Sequence, residues 1–261
     1  MLVYVINLDS SKERLRKIKD QLSYLNIPFQ RVPAIKGQDL SDDFVKSITY
    51  PSNHFETKVK FTRDLTKSEL GCFLSHKLCW TLLLQSNEKR ALILEDDIKI
   101  SPHASPYLSN DQWLPESVKL CQLNVPCDEK AGRIGLSIQK IDDNIDLVNP
   151  LYPTPIGAFA YFISREVAEE AINLSDRISA PVDDFLFSPW FSIVHRFNLW
   201  RTSPALVKPA TGICSDIGDR STKNVTKAPF FIRHGLTRFL LDRKVKKYQS
   251  KGKDFIFRFW E

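Results

Sequence analysis

Three carboxylates stand side by side at Glu95, Asp96 and Asp97, directly after the apolar run Ala91-Leu92-Ile93-Leu94 and just before Ile98. The apolar run reads as a buried strand of an α/β sheet. The acids then fall at its carboxyl end, where open α/β sheets bind their ligands. Adjacent acids repel one another and cannot all lose water without a counter-charge. A hard divalent cation such as Mg²⁺ or Mn²⁺ supplies that charge and usually brings phosphates with it. The plainer reading is a solvated acidic turn.

Other residues able to do chemistry are scattered. Asp183 and Asp184 follow Pro181-Val182 at the start of an apolar segment, where acids also simply complement a helix dipole. His76 lies on an apolar helical face and reads either as a satisfied core histidine or as a donor to a phosphate or sugar hydroxyl. Asn7 and Arg14 fall near the carboxyl end of the first strand, where a nucleotide could sit, although Arg14 also suits a solvated helix. Asp216 lies in the polar loop Gly212 to Arg220.

The elements that must position these groups follow from periodicity. Leu2 to Ile6 is a short buried strand. Ser10 and Glu13 have the spacing of a capping box, as N-cap and N3, and Leu15, Ile18, Leu22 and Leu25 then mark one helical face. Pro28 ends that helix, and Phe29 to Val32 reads as a second strand. This β-α-β opening favours a parallel, Rossmann-like sheet.

Residues 36–65 are polar and aperiodic, with one helix expected over Asp42 to Ile48. Thr66 and Glu69 form a second capping box. The helix after it carries one stripe of Leu70, Phe73, Leu74, Leu78 and Leu82, and a second of Cys72, His76, Cys79, Trp80 and Leu83. Two apolar faces predict burial on both sides. Residues 101–117 are expected to wander over the surface and Val118 to Val125 to form a strand, with 126–150 a loop or short hairpin. Ala158 to Ile163 reads as a strand, followed by a helix capped by Ser164. Ser203 to Lys208 reads as a further strand.

The 261 residues suit one large domain or two small ones. Five cysteines without paired CxxC spacing argue against a zinc site or disulfide framework and suit a reducing cytosol. Neither a signal peptide nor a spanning helix is expected. Residues 230–261 hold nine Lys or Arg and three acids, whereas residues 1–229 hold 28 of each sign. The whole net charge of +6 therefore sits in the tail, which points to an anionic surface as partner. Its interleaved Phe, Leu and Trp residues suit a membrane interface. Docking of those residues on the domain is the alternative. Nucleic acid is not expected, because the rest of the chain is neutral and has no reader motif.

Taken together, these pieces resemble glycosyltransferase family 25, whose bacterial members build lipopolysaccharide and lipooligosaccharide. The resemblance rests on Val5-Ile6-Asn7-Leu8 with Arg14, on Leu65 to His76 with Trp80, and on Ala91 to Ile98. Gly157 to Ser164, Pro181-Val182-Asp183 and Ser215-Asp216-Ile217 complete it. It implies a GT-A-like α/β domain over residues 1–229, a mostly parallel sheet flanked by helices, followed by a basic C-terminal extension, 230–261.

The resemblance further implies a UDP-sugar donor, with UDP-galactose foremost, a lipid-linked oligosaccharide acceptor, and an inverting reaction that needs Mn²⁺ or Mg²⁺. The triplet looks like the family's version of an Asp-X-Asp metal motif, giving Asp97 to the metal and Glu95, with Asp96, to the nucleotide. Asn7, Arg14 and His76 are further candidates for donor binding. Asp216 becomes a candidate metal ligand, and Asp183 the general base, with Asp184 as its alternate. The expected location is the cytoplasm, at the inner face of the membrane. Two rivals remain. One is a metal-dependent nucleotidyltransferase or phosphohydrolase; the other is a non-catalytic membrane module that has kept the fold.

Overall fold

The computed structural model describes residues 1–50, 64–124, 131–150, 157–188, 192–210, 254–256 and 258–261. The chain opens with β1 (Leu2–Asn7), α1 (Lys12–Tyr24) and β2 (Gln30–Pro33), then a one-turn helix at Gly37–Asp39 and α2 (Asp42–Ile48). α3 (Lys67–Gln85) leads into β3 (Arg90–Glu95), and the acidic turn joins β3 to β4 (Ile98–Ile100). α4 (Ser105–Leu108), β5 (Leu120–Gln122), β6 (Ala131–Lys140), β7 (Asp146–Pro150) and β8 (Ala160–Ser164) follow. α5 (Arg165–Asn173), α6 (Val182–Phe187), α7 (Ser192–Phe197), β9 (Leu199–Ser203), β10 (Val207–Pro209) and β11 (Asp254–Ile256) complete the described chain.

Nine strands form one sheet in the order β11-β6-β7-β9-β5-β8-β3-β1-β2, and β10 pairs with β4 beside it. The opening unit is parallel, with β1 between β2 and β3. β8 then enters antiparallel to both β3 and β5, so this α/β sheet is mixed. Helices cover both faces. Leu70, Phe73, Trp80 and Leu83 of α3 share one core with residues of α5, α6 and α7. Ile18 and Leu22 of α1 share the other with Tyr107 and Leu108 of α4.

Strand alternation decides which core each side chain enters. In β1, Tyr4 and Ile6 face α3, whereas Val3 and Val5 face α1. In β3, Ala91 and Ile93 face α3, whereas Leu92 and Leu94 face α1. Continuing the period sends Glu95 toward α3, and Asn7 with Asp96 toward α1. That parity sorts the acids before any polar contact is made.

Two glycines seat α3 against the loop after β2. A Cβ on Gly71 would lie 2.5 Å from the Ile35 carbonyl oxygen, and one on Gly37 would lie 1.8 Å from that of Lys67. Backbone approach this close admits no side chain. Thr66 and Glu69 close the expected capping box at the helix start.

Several expectations change. α1 starts at Lys12 with Ser11 at its N-cap, and the Ser11 side chain makes no cap bond. Glu13 pairs with Arg16 instead of reaching back. Residues 131–150 form the hairpin β6–β7, and its turn is held by Asp142 Oδ1, which accepts from the Asn144 and Ile145 amides. Tyr107, Leu108 and Leu114 are buried, so 101–117 is not merely a surface excursion. The strand read over 203–208 is split between the end of β9 at Ser203 and β10 from Val207, and α7 was not foreseen.

The described end of the C-terminal segment meets the sheet, as the docking alternative expected. β11 joins the sheet beside β6, and Ala205 bonds through its backbone to Arg258 and Trp260. Phe259 is buried, and Trp260 stacks on His103 with ring centroids 5.1 Å apart. Both aromatics therefore pack against the domain. Residues 230–253 and Phe257, which carry most of the expected basic face, lie outside the described residues.

Candidate functional site

The acidic turn sits where β1 and β3 end side by side, with Ile6 opposite Glu95. Asn7 closes β1 and is almost fully buried. Its Nδ2 donates to Asp96 Oδ2 at 2.5 Å and to the Ser11 carbonyl at 3.0 Å. Its Oδ1 accepts from Arg31 Nε at 3.0 Å, so the amide orientation follows from its partners. Arg31 also donates to the Asn7 carbonyl at 3.1 Å and pairs with Asp9. Both amide hydrogens of Asn7, a candidate for donor binding, go to the protein, one of them to Asp96.

Arg14 projects from α1 to the same side. Its guanidinium lies 3.4 Å from Asp96 Oδ1 and 3.8 Å from Asp97 Oδ2. One cation cannot offset three acids. Burial, then the charges of Glu95 and Asp96, push the Asp97 carboxyl up to about 7, and Arg14 only partly opposes them. Asp97 Oδ1 is buried and has no hydrogen-bond partner. A buried carboxylate oxygen left in this way is costly. These oxygen donors and their excess negative charge fit a hard divalent cation.

Glu95 faces the other way, as parity requires. Its Oε1 lies 3.3 Å from Nε2 of the fully buried His76. On the far side of the ring, Nδ1 lies 2.8 Å from the Tyr161 hydroxyl, which is 3.0 Å from Trp80 Nε1. The proton positions follow in order. An indole N–H only donates, so Tyr161 accepts from Trp80 and gives its own hydrogen to Nδ1. Burial drives the His76 pKa down to about 3, with the Asp183 charge opposing more weakly, so the ring is neutral. Its one hydrogen is therefore on Nε2 and is donated to Glu95. His76, read either as a satisfied core histidine or as a donor to a phosphate or sugar hydroxyl, has both ring nitrogens partnered inside the protein.

Asp183 and Asp184 lie in the first turn of α6, both partly exposed. Phe185, one turn face away, packs on Phe73 and Trp80 of α3, with centroids 5.0 and 6.2 Å apart. α6 packs on α3, the helix that carries His76, and the Asp183 charge acts to raise the His76 pKa. Asp216 lies outside the described residues. The structure thus brings together Asn7, Arg14, His76, Glu95, Asp96 and Asp97, with Asp183 beside them.

Sequence reasoning missed Arg31, Tyr161 and the role of Trp80. An arginine inside a short strand was one available signal. A tyrosine in the apolar run Ala158 to Ile163 was another, because a buried phenol needs a partner.

The family model described as glycosyltransferase family 25 (LPS biosynthesis protein) matches residues 1–186. That range holds every candidate site residue except Asp216. The lipooligosaccharide biosynthesis protein lic2B of Haemophilus influenzae is 27% identical over 230 residues, covering 85% of this chain and 78% of that protein. Procollagen galactosyltransferase 1-B of Xenopus laevis is 32% identical over 187 residues, 70% of this chain and 30% of that protein. A glycosyltransferase 25 family member of Aedes aegypti is 34% identical over 101 residues, 39% of this chain. The match spans only 17% of that mosquito protein's length.

Proposed function

Because the chain belongs to glycosyltransferase family 25, we propose that it transfers galactose from UDP-galactose to a lipooligosaccharide or lipopolysaccharide acceptor, with inversion. The partnerless buried oxygen of Asp97, set among three carboxylates at the strand ends, is the observation that carries the reading. A galactosyltransferase and a lipooligosaccharide biosynthesis protein among the relatives support the donor and acceptor.

Asp97 would hold the Mn²⁺ or Mg²⁺, with Asp216 as a further ligand. Bound there, the ion would offset the diphosphate charge and improve the nucleotide as a leaving group. Asn7 and Arg14 hold Asp96 in place, and Arg14 adds positive charge near the phosphates. His76 holds Glu95, which takes the ribose hydroxyls. Asp183 accepts the proton of the acceptor hydroxyl as it attacks opposite the diphosphate, with Asp184 as its alternate. Attack from that side inverts the anomeric centre.

The proposal puts the enzyme at the inner face of the cytoplasmic membrane, drawn by the basic residues of 230–253. The charge excess of the tail supports this.

A panel of UDP-sugars tested by thermal shift with Mn²⁺ examines the reading. Mn²⁺-dependent stabilisation by UDP-galactose, absent in Asp97→Ala, is expected. Phosphate release from simple nucleotides, without sugar transfer, would favour the phosphohydrolase instead.

A further inference from the structure

Cys72 and His76 lie one helical turn apart on α3 and so project to one side. Glu95 meets them from the end of β3. A sulfur, a ring nitrogen and a carboxylate oxygen from these residues all lie within 4.8 Å of one another. Cys72 is a thiol in no disulfide and is partly exposed, so an ion can enter.

We propose that Cys72, His76 and Glu95 form a second cation site, separate from Asp96 and Asp97, that takes a thiophilic divalent ion of the zinc type and thereby withdraws Glu95 from the donor pocket.

The donor set argues for this ion class. Thiolate and imidazole suit zinc, whereas Mn²⁺ and Mg²⁺ prefer carboxylate and water oxygens. Zinc bonds to sulfur, nitrogen and oxygen set ligand separations of roughly 3.3–3.8 Å in a tetrahedron. His76 Nε2 and Glu95 Oε1 already stand 3.3 Å apart. Small rotations about the Cys72 and Glu95 side-chain bonds close the rest. Three protein ligands leave a fourth position for water or a phosphate oxygen.

The outer contacts also suit a ligand. A metal-bound histidine usually donates its other N–H to a fixed acceptor, and the Tyr161 oxygen stands 2.8 Å from Nδ1. On binding, Cys72 loses its proton to solvent. The imidazole stays neutral: its hydrogen moves from Nε2 to Nδ1, and the Tyr161 hydroxyl turns its own hydrogen away to accept from Nδ1.

The same parity that sends Glu95 toward α3 keeps Asp96 on the α1 side, so the two cation sites share a strand end without sharing a ligand. Ion binding stands on these contacts alone. Its effect on turnover rests on the assignment of Glu95 to the donor.

Titration of the reduced, metal-free full chain with Co²⁺ tests the site through thiolate-to-cobalt charge-transfer absorption. A band saturating at one ion per chain and displaced by Zn²⁺ is expected, lost in Cys72→Ser and kept in Asp97→Asn. No band in the wild type, or an equal band in Cys72→Ser, overturns the site. In Mn²⁺-supported donor turnover, Zn²⁺ should compete with the UDP-sugar, and Cys72→Ser should keep basal activity while resisting Zn²⁺ by about tenfold or more. Equal zinc inhibition of Cys72→Ser overturns the link to Glu95. A cobalt band in a chain that turns over no UDP-sugar supports the site and contradicts the transferase reading.

Discussion

Asn7 Nδ2 donates to Asp96 Oδ2 across 2.5 Å, a bond that ties the end of β1 to the acidic turn after β3. Both residues are buried, so the bond is made away from bulk water and cannot be replaced cheaply. Asn7→Ala should leave Asp96 with Arg14 alone among these two partners and strand Arg31 Nε as well. The expected result is a loss of about 1–3 kcal/mol of stability and a fall of about 10–100-fold in kcat/KM for the donor. Urea melts and donor kinetics measure the two effects separately.

Asp97 yields a prediction of opposite sign for stability. Its folded-state pKa of about 7 lies above the ordinary carboxyl value of 3.8. The metal-free native state therefore binds more protons than the unfolded chain between those values, and stability falls as pH rises through that window. Asp97→Asn removes this decline. In EDTA at pH 8 the variant should be more stable than wild type by about 1–3 kcal/mol, while losing the stabilisation that Mn²⁺ gives the wild type. Paired melts at pH 5 and pH 8 check this; a variant less stable than wild type at pH 8 contradicts it.

The His76 ring is expected to stay neutral across the working pH range, because burial holds its pKa near 3. Ring nitrogen shifts that do not change between pH 5 and pH 8 would agree. Tyr161→Phe removes the hydroxyl between Trp80 and His76 and frees the ring to change tautomer. A stability loss of about 1–3 kcal/mol, with a larger rise in donor KM than fall in kcat, is the expected outcome. A rise in neither would separate the chain of hydrogen bonds from Glu95.

Asp183→Asn should lower kcat by ~10²–10⁴-fold with little change in UDP affinity, as loss of a general base does. If Asp184→Asn does this and Asp183→Asn does not, the two roles are exchanged. Near-normal activity in both would leave these acids as ordinary first-turn charges of α6.

Removal of residues 258–261 should destabilise the domain, since Phe259 is buried and Trp260 stacks on His103. Burial of one such aromatic is worth about 1.5–3 kcal/mol. Salt-sensitive binding to anionic vesicles, if it depends on the basic residues of 230–253, should survive this deletion. A truncated chain of unchanged melting temperature would contradict the docking of the C-terminus.

Local rules made much of the fold legible. The run at Leu2 to Ile6, the capping box at Thr66 and Glu69, and the apolar run before Glu95 each specify an element within a few residues, and α2 has the expected bounds. Where long-range contacts decide, the sequence was silent. The hairpin β6–β7 was one of the two readings of its stretch, but its place beside the distant strands β9 and β11 was not readable. The tail shows the same limit, because Phe259 and Trp260 find a surface assembled from Ala205, His103 and Tyr107. The acidic triplet itself was readable, but the division of labour within it was not. Alternation along β3 sends Glu95 to His76 and Asp96 to Asn7, which a string of three acids does not display until the flanking helices are in place.

The central claim is that the acidic turn holds a divalent ion needed for sugar transfer from a UDP-sugar. Its most direct test is UDP release from UDP-galactose, measured with acceptor in Mn²⁺, after chelation with excess EDTA, and after Mn²⁺ is restored. Turnover that stops on chelation, returns with Mn²⁺ and is lost by orders of magnitude in a folded Asp97→Ala variant is the predicted result. Wild-type turnover that persists in excess EDTA would contradict it.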